Sequence, residues 1–358
     1  MSLKLIKKIL PRPIVTFIQS ILAKLGELKE GIAFQCSNSM FLSSTYYFLF
    51  SRAFDREHLS VLHGKKRYAS DIKHGKAGLT LLRRNVHRLE KGLIMKPRRP
   101  IFAKDYITET VEFLHKVVTE NPETEVDELN WFCDVLTTYF LAVQSDPVID
   151  KAKSLFDDTV KLRNLKITDK IPYVRNFSNN IPSFEQFENL SLRRRSVRWF
   201  EDKAVPRDLI DQAILVSSQS PSACNRQPFR FHIFDDPSLV QEVSKIPGGT
   251  AGFNHNFPVF IAVIGQLRAY FDERDRHVIY IDASLASMSF LFALETLGLS
   301  SCAINWPDVP EREKKMSKAL ALDEDERVIM CIAVGYPDKN EKVPFSHKKS
   351  LSQLRKYN

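Results

Sequence analysis

Apolar residues in this chain recur at two periods, and the change from one to the other divides it. Through the first half they return every three or four positions, as one face of a helix requires. Ala77 to Leu93 is such a stretch, with Leu79, Leu82, Val86, Leu89 and Leu93 on one face and Arg83, Arg84, Arg88 and Lys91 on the other. Gly92 should loosen its end and Pro97 forbids its continuation. Ile107, Val111, Leu114 and Val118 predict a second helix, and Leu129, Phe132, Leu136, Tyr139 and Phe140 a third, separated at Asn121-Pro122. A weaker helix carries Val160 and Leu162, and the Pro- and Asn-rich passage after it reads as a linker near 171–189.

The second half brings in strands. Phe229, Phe231 and Ile233 alternate with Arg230 and His232, while Pro258–Ile264 is apolar throughout, as a strand covered on both faces would be. Leu209, Ile210, Ala213 and Ile214 form a helical stripe after Pro206. Residues 281–297 are apolar nearly all round, which predicts a helix buried on every side and ended by Gly298. Residues 301–306 and 328–334 read as further strands. The expectation is an all-helical domain over 1–189 followed by an α+β domain over 190–358, as suits a length of 358 residues.

Near the N terminus, residues 3–25 are apolar with lysines and are divided at Pro11-Arg12-Pro13. They suit neither a secretory signal nor a membrane span, and fit one or two amphipathic segments that pack on their own domain or lie on a membrane surface. Residues 34–50, rich in Phe, Tyr and Met, predict a buried or partner-facing helix.

Composition adds three constraints. Five scattered cysteines without a CxxC pair argue against a disulfide framework or a zinc site and for a reducing, cytoplasmic compartment. The net charge of +9 is concentrated in residues 52–99, which hold 14 Lys/Arg against 4 Asp/Glu. That block suggests an anionic partner, with residues 1–99 as a peripheral membrane contact at the inner face; no nucleic-acid motif accompanies it. His74 and His87 lack ligand spacing and read as surface residues.

The chemistry concentrates in residues 191–231. Arg193, Arg194, Arg195 and Arg198 crowd around Ser196, and closely spaced guanidinium groups form a natural phosphate seat. The turn Ser220–Pro228 offers small and amide side chains, with Asn225 and Gln227 placed to touch a ring system.

RRRSVRWF, SPSACNRQPFRF, IDASLASMSFLFALETLGLSSC and IMCIAVGYP stand in the order and approximate spacing of the nitroreductase family of FMN-dependent oxidoreductases, which residues 190–350 resemble. The resemblance implies a central mixed or antiparallel sheet flanked by helices, an intertwined homodimer built around helix 281–297, and FMN in the interface. It places Arg194, Arg195, Ser196 and Arg198 at the FMN phosphate and ribityl chain. Pro221, Ser222, Ala223, Asn225 and Gln227 would lie against the isoalloxazine from the partner. Asn254 would meet the pyrimidine edge and Lys348 the phosphate. Asn305 and Trp306 would stand near the redox nitrogen, with Trp306 narrowing the space above the ring.

The activity implied is hydride transfer from NAD(P)H through FMN to a small-molecule acceptor, with no side-chain acid, base or metal required. Cys224 and Cys302, among apolar neighbours, read as inert packing. HRLEKGL resembles segments found ahead of nitroreductase-like domains encoded near polysaccharide biosynthesis functions. Two rival readings remain open: atypical flavin chemistry, such as flavin fragmentation or substrate dehydrogenation, and a flavin-binding accessory protein at the membrane surface.

Overall fold

A computed structural model describes residues 11–74, 79–121, 123–163, 168–177 and 181–358. The chain divides into two compact units, Met1–His58 and Leu59–Asn358. The first contains α1 (Arg12–Cys36) and α2 (Met40–Phe50), joined through Ser39, whose side chain accepts a hydrogen bond from the Leu42 N–H. Of the two alternatives expected for α2, burial within the chain is not found: it has no buried residue. Helix α3 (Asp55–His74) carries the chain into the second unit.

There α4 (Thr80–Leu93), α5 (Ile107–Glu120), α6 (Val126–Ala142) and α7 (Pro147–Arg163) enclose one apolar core. Leu82, Val86, Leu89, Ile107, Val111, Leu114, Leu129, Phe132 and Leu136 lie at its centre, as their spacing requires. Ala77, where α4 was expected to begin, lies outside the described residues, as do Pro122 and the His74 side chain. In α7 the core is made by Ile149, Ala152 and Phe156, and Leu162 is exposed. Gly92 does more than loosen a helix end: a methyl group there would stand 2.2 Å from the Phe102 ring, so only glycine lets that ring lie on α4.

The sheet contains β1 (Phe229–Phe234), β2 (Val259–Gln266), β3 (Ser300–Asn305) and β4 (Glu326–Gly335) in the order β1-β2-β4-β3, with each neighbouring pair antiparallel. A parallel bridge between Ser196 and Ser301 lays the arginine-rich segment along the outer edge of β3. Strand β2 is buried on both faces: Val259, Ile261 and Val263 enter one core while Phe260, Ala262 and Ile264 enter the other. The first core is closed by α9 (Arg207–Ser217) and α11 (Val278–Thr296), the second by α10 (Pro237–Val243) and α12 (Pro310–Leu320). The described helical residues of α8 (Phe184–Arg193), opened by a Ser183/Gln186 capping box, occupy the end of the expected linker.

Helix α11 departs from the sequence expectation. Ile279, Ala283, Ala286, Phe290 and Leu294 are buried, but Ile281, Leu285 and Met288 are 56%, 43% and 38% exposed. Residues 273–296 are long and apolar enough to cross a membrane by composition, and half of their apolar 18-residue window is buried inside the unit. The exposed residues follow at intervals of four and three, so one apolar face of the helix lacks a partner among the described residues.

Candidate functional site

Two groups of predicted residues lie at opposite ends of α11. At its C-terminal end, Val197 N–H bonds Ser301 O at 3.0 Å, and Asn256 Nδ2 donates to Arg198 O at 3.0 Å, fixing the arginine-rich segment to the sheet and to the 254–256 turn. Arg194, Arg195, Ser196 and Arg198 are half-buried there. Arg198 lies over the Phe253 ring at 5.7 Å, and its charge partly offsets the burial that pushes the Cys302 thiol upward. The acid facing this cluster is Glu295, 6% exposed, whose carboxylate is 3.5 Å from Arg193 Nε and accepts Ser300 Oγ at 3.0 Å. Burial raises the Glu295 pKa while the Ser300 bond and Arg193 oppose the rise. Among the described residues Arg194 and Arg195 enter no ion pair, which leaves a concentrated positive seat.

At the N-terminal end, Asp282 holds the polar turn. Its buried carboxylate accepts Ser222 Oγ at 2.7 Å and Ala223 N–H at 2.9 Å. Ser222 Oγ accepts the Gln227 N–H at 2.8 Å, and Gln227 Nε2 donates to Asn225 Oδ1 at 2.9 Å. Cys224, Asn225 and Gln227 have φ of 53°, 51° and 49°, a left-handed run that these side chains rarely adopt unless their surroundings impose it. Pro221 is exposed, whereas Ser222, Ala223, Asn225 and Gln227 are half-buried.

The four-helix layer reaches this turn. Arg83 Nη1 donates to Asn225 O at 3.4 Å and its Nε pairs with Glu128 at 2.6 Å. Arg84 lies over the Phe271 ring at 4.9 Å, and Arg88 over the Tyr106 ring at 3.6 Å. Arg83, Arg84 and Arg88 of the basic face of α4 are therefore engaged inside the fold, while Lys91 is exposed. Beside it Arg226, 6% exposed, stacks on Tyr270, whose phenol is pushed far above its ordinary pKa by burial and by the Asp282 charge.

Four further predicted residues have placements of their own. Trp306 does not narrow a space above a ring: it is buried beneath α12, where Nε1 donates to Glu313 Oε1. Asn254 turns its amide inward, with Nδ2 3.3 Å from Ser244 Oγ. Lys348 is exposed in the C-terminal segment, and Asn305 is exposed at the end of β3.

The sequence reading missed Asp282, Glu295 and the contact from Arg83. Its available signal was the presence of two acids in an otherwise apolar helix, since a buried carboxylate requires donors.

Thirteen residues separate Asp282 from Glu295 along α11, a rise of roughly 20 Å. Within one chain the arginine seat and the polar turn are thus about a helix length apart.

The sequence pattern of the nitroreductase family matches residues 192–251 and 245–336. Iodotyrosine deiodinase 1 of Pongo abelii is 25% identical over 197 residues, spanning 47% of this chain and 67% of that protein. The Homo sapiens protein of the same name is 24% identical over 198 residues, spanning 48% and 68%. Among solved structures, an FMN-dependent nitroreductase from Clostridium difficile R20291 is 23% identical and covers 47% of this chain and 98% of its own, with a TM-score of 0.41. Residues 192–336 of the chain thus carry the sequence pattern of the nitroreductase family.

Proposed function

We propose that the protein is an FMN-dependent oxidoreductase that works as a homodimer, drawing reducing equivalents from NAD(P)H and delivering them to a small-molecule acceptor. The observation that carries this reading is the separation of the two half-sites along α11. A second copy, paired through the exposed Ile281, Leu285 and Met288 stripe, would bring the turn of one chain to the arginine seat of the other. Exposed Tyr173, Val174, Phe177, Ile181 and Phe184 give further apolar surface for such an exchange.

The residues present fit FMN. Arg194, Arg195 and Arg198 would take the phosphate, for which paired guanidinium donors are the natural match. The buried Ser301 Oγ, which has no hydrogen-bond partner among the described residues, lies beside Ser196 and supplies an unused polar atom at that seat. The Ser222–Gln227 turn would lie against the ring of a flavin held by the partner. Bound there, FMN supplies the redox chemistry, and the chain contributes position, charge and exclusion of water. Arg83 and α4 narrow the approach to the turn and thereby select the acceptor. Linkage to polysaccharide biosynthesis and a cytoplasmic location are parts of the same proposal.

The name shared by the deiodinase relatives favours a second reading, reductive cleavage of a substituted phenol at the same face. The test is to purify the protein, record its visible spectrum and mass, and add NADH or NADPH without oxygen. A dimer with a flavin band that bleaches supports the proposal. A colourless monomer that stays so with excess FMN refutes it. Anaerobic turnover of halogenated and nitro aromatic acceptors then separates the two readings.

A further inference from the structure

The unit Met1–His58 exposes an unusual amount of apolar surface. In α1, Ile14, Phe17, Ile21, Leu25, Leu28 and Ile32 recur at intervals of three and four along one face, and all are exposed. Helix α2, MFLSSTYYFLF, carries no charge and buries nothing; Met40 and Phe48 are 87% and 86% exposed. The uncharged run extends from Gly31 to Ser51. Arg52 and Arg56 follow it, and residues 1–58 hold eight Lys/Arg against four Asp/Glu.

These features select among possible occupants. A protein groove receives one stripe of a helix and leaves the opposite face to water. In α2, Phe41, Leu42, Tyr47, Phe48, Leu49 and Phe50 are all exposed and succeed one another round the axis, so a groove would leave several in water. A bilayer boundary accepts apolar side chains on several sides, tolerates the Tyr46–Tyr47 pair where tail meets headgroup, and offers phosphates to Arg52 and Arg56. Neither described helix of this unit is long and apolar enough to span: α2 has 11 residues, a length of roughly 17 Å against a hydrocarbon core of about 30 Å. Helix α1 carries Lys24, Glu27, Lys29 and Glu30.

We propose that α1 and α2 form an interfacial anchor that seats the protein on a membrane containing anionic phospholipid. In this arrangement α2 enters the headgroup boundary while Arg52 and Arg56 meet the phosphates. The anchor is independent of the flavin reading, because it involves none of the proposed FMN residues.

The test is flotation of the full-length, flavin-loaded protein with phosphatidylcholine vesicles, either alone or containing about one third phosphatidylglycerol. The wild type should rise with the anionic vesicles. A Phe41→Asp/Phe48→Asp double variant should remain at the bottom with its visible spectrum and flavin content unchanged. Arg52→Glu/Arg56→Glu should weaken binding to the anionic vesicles by on the order of 30-fold or more. The inference is overturned if the wild type ignores both vesicle types. It is equally overturned if the Phe41→Asp/Phe48→Asp variant has a smaller particle mass than wild type without lipid, since a second copy would then be what covers these helices.

Discussion

Removing the Asp282 carboxylate should release the polar turn and, with it, the proposed flavin. Asp282 is 3% exposed and accepts two hydrogen bonds from the turn, at 2.7 Å and 2.9 Å. Bonds to a charged acceptor contribute about 1.5–3 kcal/mol each, and a buried donor left without a partner adds its own desolvation cost. In Asp282→Ala both donors lose their acceptor, so the local loss is roughly 3–6 kcal/mol. Three residues of the turn are also in the left-handed region, a conformation that costs about 1–2 kcal/mol per residue and persists only while its surroundings impose it. Both bonds end on the same carboxylate oxygen, so Asp282→Asn conserves volume and an acceptor there but removes the charge that strengthens them. If even 2 kcal/mol of the lost constraint appears in cofactor affinity, the Kd for FMN rises about 30-fold.

The assay is fluorescence titration of the apoprotein with FMN, paired with thermal unfolding in the absence of flavin. Asp282→Asn should weaken FMN binding and lower the Tm modestly; Asp282→Ala should do more of both. Unchanged Tm and a Kd within about twofold of wild type in both variants would refute the claim that this carboxylate holds the turn. A lowered Tm with unchanged FMN affinity would preserve the clamp and remove the turn from the flavin site.

Replacing Arg194 and Arg195 by Gln should weaken FMN binding by at least about tenfold while leaving riboflavin binding nearly unchanged, because riboflavin lacks the phosphate these side chains are proposed to hold; equal losses for both ligands would place the arginines elsewhere. Gly64→Ala sets two effects against each other: helix propensity favours alanine by about 1 kcal/mol, but the new methyl would stand 2.7 Å from Leu267 Cβ and 2.9 Å from its carbonyl carbon. Overpacking against backbone costs about 1–3 kcal/mol, so the Tm should fall, and a rise would show that α3 shifts freely. Asp146, Asp235 and Asp323 are held below the usual carboxylate range by hydrogen bonds from Lys104, Arg207 and Arg268. Depressed folded values mean that their stabilisation is present above about pH 4 and is lost as pH falls through those values. Thermal unfolding should therefore change little from neutrality to pH 5 and drop below pH 4, with a shallower drop in Asp235→Asn.

Much of the fold was legible because burial obeys a period. The four-helix core follows the stripes at Leu82, Val111 and Leu129, and the continuous apolar run at 259–264 is a strand with two buried faces. Helix α12 escaped notice because Met316 and Leu320 are its only apolar anchors in the core among mostly charged neighbours. The direction of Trp306 was also hidden: its indole follows Glu313, a buried acid whose position depends on how α12 docks. The arginine seat and the turn were visible as composition. Their separation was not, because it depends on both packing against one helix at points thirteen residues apart.

The positive charge of residues 52–99 shows why a charge count and a charge arrangement lead to different partners. Read as a block, it calls for an anion outside the molecule. In the folded chain Lys65 meets Glu273 at 2.5 Å, Arg67 lies 4.0 Å from Asp323, Arg83 meets Glu128, and Arg84 and Arg88 lie on aromatic rings. Those acids come from distant parts of the sequence, so local counting could not include them; part of the block holds the fold together and reaches the 223–225 turn, while Lys66, Lys91, Lys96, Arg98 and Arg99 stay exposed. A case for an anionic surface has to rest on charge that remains at the edge of exposed apolar structure. Arg52 meets that condition: it follows an uncharged run of 21 residues, and its pairing with Asp55 at 3.7 Å joins side chains that are 94% and 60% exposed. Such a pair contributes little in water, so exchanging the carboxylate for a lipid phosphate costs correspondingly little.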